Sequence, residues 1–391
     1  MYTQNTPVHI RLWNKDFWLL AIANLFLGMA VNVQMVMTFL MADSPYEASK
    51  AMGAFGIGIM VLGMSVSFLV ERYRRNHVCW YAILGVVVCL AIPIFYDLPV
   101  GGMVGVRLAT GICYGLAEMV LYSTLVLDTC ESHQRTEANY AVTWFGRIAL
   151  ALGPFSALLL VRFLDVRLLS WISAGAAVVA LLMVMMVRFP FRSPGDNIKL
   201  VSLDRFILPA SWGLMLNLFF FSTVLGLILS IEMAHLSFFA LLMVGFLLAI
   251  VAEKYVFVNA ELMSEAIAGM LLVGFALLLM LVEIEQAFVT IPILIGLGSG
   301  IMASRFLLFF IKLSDHCQRG TSQSSFFLAW ELGLALGLFM GLGRNANAVI
   351  PLVGELPSWK VVGVIALFFD VAALLLYVAF THQWYMKHKN R

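Results

Sequence analysis

The chain has 391 residues, 62% hydrophobic and only 12% charged, with a formal net charge of +2. A soluble protein of this length carries about a quarter charged residues, so composition excludes a soluble globular domain. Apolar runs that are continuous rather than alternating exclude a membrane β-barrel, and the near-neutral balance gives no support to a nucleic-acid partner. What remains is an all-α polytopic membrane protein.

Runs of about twenty apolar residues are long enough to cross a hydrocarbon core. They predict twelve spans, at 17–40, 51–70, 79–97, 101–127, 139–161, 167–187, 208–230, 236–252, 266–282, 287–312, 323–342 and 359–381. The polar start leads into a full-length span, so no cleavable signal peptide is expected. Span one carries Asn24, Asn32 and Gln34, and span two ends in "LGMSVSFLVERY". Span four contains "RLATGICYGLAE", in which Arg107, Gly111, Gly115 and Glu118 fall within about 80° of one helix face. Span five carries Arg147 and then Gly153-Pro154. The polar stretch 188–207 divides the chain into an N-terminal bundle, 1–187, and a C-terminal bundle, 208–391. In the second half, span seven carries Asn217 and span eight ends in "VGFLLAIVAEKY". Arg305 lies in span ten, Glu331 in span eleven and Asp370 in span twelve. Asp370 has no evident partner.

The halves repeat. Glu71 and Glu253 each follow a glycine by eight residues and precede a basic residue and a tyrosine, at an offset of 182; Asn24 echoes Asn217, and Trp144 echoes Trp330. Ordered matches of this kind indicate duplication, a common way to build transporters. Apart from Arg107, Arg147 and Arg305, the lysines and arginines divide 16 to 5 between the loops and span ends of the two sides. The positive-inside rule then predicts both termini in the cytoplasm. The five cysteines form no C-x-x-C pair and no disulfide framework is expected. The seven histidines fall near helix ends or in loops with no metal-ligand spacing.

With these motifs the chain resembles the major facilitator superfamily. The loop after span two, "SFLVERYRRN", is similar to the family's G-x-x-x-D-R-x-G-R-R, with Glu71, Arg72 and Arg75 in the charged places and Ser67 and Arg74 replacing glycines. Arg107 and Gly111 match R-x-x-x-G in span four, and Asp128, Arg135 and Ala138 match the residues that follow it. "ALALGPFSAL" partly matches the antiporter motif G-x-x-x-G-P-x-x-G-G, at Gly153 and Pro154. The resemblance implies two pseudo-symmetric six-helix bundles around a cavity lined by spans one, four, seven and ten. It implies a charge latch of Glu71, Arg72, Arg75, Asp128 and Arg135 on the cytoplasmic side that holds the outward-open state. For Arg107 it implies a part in proton coupling.

A charged side chain at mid-membrane depth costs roughly 2.5–3.5 kcal/mol on insertion scales, so it normally faces a partner or water. Glu118, Arg147, Arg305 and Glu331 lie at matching distances from the inner side. The expectation is a mirrored cluster, Glu118 with Arg147 and Arg305 with Glu331, that switches when a carboxylate takes a proton. The alternative is that such pairs only hold helices together. Asn24, Asn32, Gln34 and Asn217 either line the cavity or join helices. Glycines of the span-four stripe either leave room for substrate or allow close helix contact.

No nucleophile, metal cluster or P-loop motif is present, so an enzyme and ATP drive are not expected, nor is any cofactor. The function expected is secondary active transport of a small organic molecule by alternating access, with proton-coupled efflux. Alternatives are proton-coupled uptake of a sugar, organic acid or nucleoside, and a transport-inactive membrane sensor. The partners expected are a small-molecule substrate, protons and the lipid bilayer, with the protein a monomer in the inner membrane.

Overall fold

Within hydrocarbon every backbone N–H and C=O must be bonded inside its own segment, which leaves the helix as the solution for each apolar run. The computed structural model describes residues 11–189, 199–257, 261–344, 348–350 and 354–389. The predicted linker lies partly outside the described residues, at 190–198 with Arg192, as do His9 and Arg391 at the chain ends. Twelve helices among the described residues are long and apolar enough to cross a membrane: α1 Lys15–Met41, α2 Pro45–Arg72, α3 Arg75–Phe95, α4 Val100–Asp128, α5 Ser132–Leu160, α6 Leu168–Met186, α7 Pro209–Glu232, α8 Leu236–Tyr255, α9 Leu262–Leu281, α10 Thr290–Leu313, α11 Arg319–Leu342 and α12 Ser358–His388.

Several helices outrun their predicted spans. α2 begins at Pro45 rather than 51, because the Ser44 side chain accepts from the Glu47 N–H and Pro45 fits the first helical position. α5 and α11 begin seven and four residues early, in polar turns that carry no hydropathy signal. α4 and α12 each contain a wide π turn, Leu121–Leu125 and Tyr377–Thr381. The loop expected between spans eleven and twelve holds a small antiparallel hairpin, β1 Ala348–Ile350 with β2 Gly354–Leu356. A hairpin outside the hydrocarbon can leave its edges to water, so nothing in the span pattern announces it.

The packing repeats with a shift of six helices. In the first half α1 packs on α5 and α6, α2 on α4, and α3 on α4 and α6; in the second, α7 packs on α11 and α12, α8 on α10, and α9 on α10 and α12. Between halves α2 packs on α11 and α5 on α8, again related by six. The close crossings use glycine. A Cβ on Gly111 of α4 would sit 3.0 Å from the Phe55 carbonyl carbon and 3.2 Å from the Gly58 Cα of α2. In the second half a Cβ on Gly245 of α8 would sit 2.8 Å from the Gly296 Cα of α10.

With twelve successive helices the described ends, Arg11 and Lys389, fall on one face, the chain-end face. The apolar core has two parts. One joins the second half to the far ends of α1, α2, α5 and α6 through Val36, Met52, Leu150 and Leu169. The other fills the first half toward the chain-end face and receives Phe206, Phe327 and Leu328 from beyond it. The chain after 198 is tied to both halves: the Ser202 N–H donates to the Met64 carbonyl, and the Arg205 and Leu208 N–H groups donate to the hydroxyls of Thr321 and Ser325 in α11.

Candidate functional site

The stripe on α4 turns its charges into the centre of the molecule. Arg107 is 2% exposed. Its Nη1 donates to Gln34 Oε1 of α1 at 2.9 Å, and its guanidinium lies 4.5 Å from the centre of the Phe55 ring of α2. A guanidinium over an aromatic face gains from the ring quadrupole, so Arg107 is held by an amide and a ring rather than by a carboxylate. Gly111 and Gly115 do not open onto the cavity: a Cβ on Gly115 would sit 2.7 Å from the Ile59 carbonyl oxygen. Of the two readings left by the sequence, these glycines serve close contact between α4 and α2.

Glu118 is buried and neither carboxyl oxygen has a hydrogen-bond partner. It lies within electrostatic reach of Glu331 from α11, in the other half, and both act on Tyr114 and Tyr122. Glu331 faces two adjoining cavities of about 40 and 30 Å³. Arg147, Asn32 and Gln323 line the first, and Arg107 and Asn32 line the second. Each is large enough for water and too small for an organic substrate.

Arg147 corrects the expected pairing. It does not bridge Glu118; its Nη1 donates to Ser304 Oγ of α10, across the halves, and at 3.4 Å to the Gly300 carbonyl. Its guanidinium also lies 4.7 Å from the Trp144 ring, while Nε and Nη2 have no partner. Arg305 departs further. One residue after Ser304, it is turned about 100° around α10, away from the cavities, and forms an ion pair with Glu265 of α9. Glu253 of α8, Tyr377 and Tyr385 are its other charged or polar neighbours. The mirrored four-charge cluster is therefore absent: Glu118, Arg147 and Glu331 gather centrally, and Arg305 belongs to a peripheral pair. A helix sequence sets spacing along the span, but the neighbouring helices decide which way each side chain faces.

The polar residues of α1 and α7 also divide. Asn32 lines both cavities and Gln34 holds Arg107. Asn24 instead joins three helices, donating to Tyr122 Oη at 3.0 Å and to the Val142 carbonyl at 2.9 Å. Asn217 donates to the Ala373 carbonyl at the α7–α12 contact, away from the cavities. Asp370 is seated against Gly274 of α9 with Oδ1 unpaired.

At the chain-end face, Arg75 pairs with Asp128 at 2.7 Å, and Glu71 accepts from the Ser67 hydroxyl at 3.3 Å. Arg205 adds a charge the motif did not include. Its backbone is in the left-handed region, φ 59°, and its guanidinium is in the field of Arg75, Glu71 and Asp128. Burial first, then Arg75, holds Arg205 below the usual arginine range. Arg135 lies beside Cys130 with a buried, unpaired Nε. Arg72 turns elsewhere, over the Phe68 ring at 5.6 Å. Gly153 and Pro154 lie within α5, where Gly153 lets α1 approach: a Cβ there would be 2.7 Å from Asn32 Cβ.

Tyr114, Tyr122, Gln323 and Ser304 join the predicted residues at the centre. Tyr114 and Tyr122 fall four residues either side of Glu118, so the stripe of α4 extends to them. Gln323 donates to Thr143 at 2.8 Å, joining α11 to α5. Its partner lies 180 positions away, and no local pattern marks it.

Among curated proteins no sequence matches this chain. Solved structures do. The POT family transporter PepTSo superposes with a TM-score of 0.69 at 11% identity, covering 97% of this chain and 100% of that one. The nucleoside transporter NupG gives 0.66 at 13% identity, over 95% and 99%. A bacterial homolog of the human lysosomal transporter Spinster, inward-facing and unoccupied, gives 0.65 at 12%, over 97% and 99%. The family model for the Major Facilitator Superfamily matches residues 17–338. With that match over most of its length, the chain belongs to the Major Facilitator Superfamily, a family of transporters rather than enzymes.

Proposed function

We propose that the protein is a secondary active transporter that couples proton movement to the efflux of a small organic molecule by alternating access. The observation that carries this reading is the convergence of Glu118 and Glu331, one from each half, with no salt bridge to either among the described residues. Two like charges in a desolvated site repel, and an unpartnered buried carboxylate costs several kcal/mol. A proton on either group removes that cost, so proton occupancy is tied to whether the centre is dry or open to water. Rocking of the halves about the α2–α11 and α5–α8 contacts would open the centre to one face at a time.

The chain-end face is the cytoplasmic one by the distribution of lysine and arginine. Arg75, Asp128, Glu71 and Arg205 form the latch there. Gly153-Pro154, the surviving part of the antiporter motif, favours export. Arg107 and Arg147 have no carboxylate partner among the described residues and retain unpaired donors, which favours an anionic or zwitterionic cargo. The test is flux in proteoliposomes under an imposed pH gradient. Glu118→Gln and Glu331→Gln should each uncouple flux from the gradient while leaving counterflow exchange; unchanged gradient-driven flux in both variants rejects the coupling.

A further inference from the structure

A groove of about 680 Å³ lies on the outside of the first half, away from the central cavities, between α2, α3 and α4 at their chain-end side. Its rim is basic, with Arg72, Arg74 and His77; its wall is apolar, with Leu69, Tyr81 and Leu116. No lining residue among those described is acidic. Tyr81 is 72% exposed, so this wall faces the lipid.

Three arginines stand at the turn between α2 and α3, and they are not equivalent. Arg75 is engaged by Asp128. Arg72 and Arg74 have no carboxylate partner among the described residues, although both line the groove. From Arg72 to Leu62, the deepest α2 residue on the wall, is ten residues of helix, about 15 Å. That is about half of a hydrocarbon core of about 30 Å, the depth of one leaflet. A basic rim at the headgroup level over an apolar wall one leaflet deep matches a molecule with an anionic head and acyl chains.

We propose that this groove is a binding site for one anionic phospholipid of the leaflet at the chain-end face. The phosphate is held by Arg72 and Arg74, with His77 beside it, and one acyl chain lies along Leu69, Tyr81 and Leu116. The occupant abuts the turn that also carries Arg75, so it borders the Arg75–Asp128 pair. The site does not depend on the central carboxyls or on the direction of transport.

Native mass spectrometry of the delipidated, full-length protein in detergent tests this by titration with phosphatidylglycerol, phosphatidylcholine and inorganic phosphate. One phosphatidylglycerol should bind in preference to phosphatidylcholine. Each basic side chain near an anionic surface contributes about a fivefold factor, so Arg72→Gln with Arg74→Gln should weaken phosphatidylglycerol about 30-fold. Arg72→Lys with Arg74→Lys keeps the charge and should recover most of the affinity, which separates loss of the site from loss of the fold. Equal affinity for the two lipids, or no difference between the glutamine and lysine variants, overturns the proposal. Displacement of the lipid by millimolar inorganic phosphate also overturns it, by assigning the rim to a soluble anion.

Discussion

Arg147 and Arg305 are both arginines deep in a span, at similar distance from the chain-end face, one in each half. Arg147 reaches across the halves to Ser304 and borders a cavity that Glu331 also lines, with two guanidinium nitrogens unpaired. Arg305 stays within its own half, paired with Glu265. The residue type is shared, and the difference is whether a carboxylate comes within ion-pair distance of the guanidinium. The paired arginine holds helices together. The unpaired one lies near Glu118 and Glu331, neither of which has a salt bridge among the described residues, and it is this group that the proposed function assigns to cargo and proton.

The comparison is broken most directly at the peripheral pair. Glu265→Ala leaves Arg305 mostly buried without its ion-pair partner, with Glu253 the remaining nearby carboxylate, and loss of one partner of a buried pair costs about 3–5 kcal/mol. Thermal unfolding in detergent should show a large drop, and Glu265→Leu combined with Arg305→Met should recover most of it. If Glu265→Ala melted like the parent, the structural role of the pair would be lost.

Glu118→Gln probes the other side. The amide is nearly isosteric and carries no charge, so stability should hold or rise, while proton-driven flux falls about a hundredfold, the lower range for loss of a proton-transfer group. Flux that depends on pH in the parent and not in the variant is the expected signature. A variant that both unfolds and loses flux would place Glu118 with Arg305 as a structural group.

The shared architecture of the halves is tested by glycines. Gly111→Ala and Gly245→Ala each drive a methyl into the backbone of the facing helix and should cost about 1–3 kcal/mol. Gly105→Ala, with nothing within 4 Å of its Cβ, should be neutral or slightly stabilising by the same unfolding measurement. Equal penalties at Gly111 and Gly245 support equivalence of the α2–α4 and α8–α10 crossings, and unequal ones limit it. The smallest effect is expected at Arg75→Ala. A partly exposed pair, its side chains 21% and 22% exposed, contributes up to about 1 kcal/mol to stability, so unfolding should barely change, while cysteine accessibility at the chain-end face rises if the latch holds that face closed.

The twelve spans were legible because each must satisfy its own backbone in hydrocarbon, so its length and apolar character are written locally. The six-helix repeat showed in Glu71 and Glu253, and the facing of Arg107 and Glu118 in their spacing on one helix. Helix ends such as Ser44-Pro45 were less legible, since capping is polar and short. The partner of each buried charge was not legible. Arg107 with Gln34, Arg147 with Ser304 and Arg305 with Glu265 join positions 73, 157 and 40 residues apart. A helix sequence determines which residues share a face and at what depth. Only the tertiary structure decides which neighbour that face meets, because the rotation of each helix is set by packing against all the others, with Gly111 and Gly245 fixing how closely they approach.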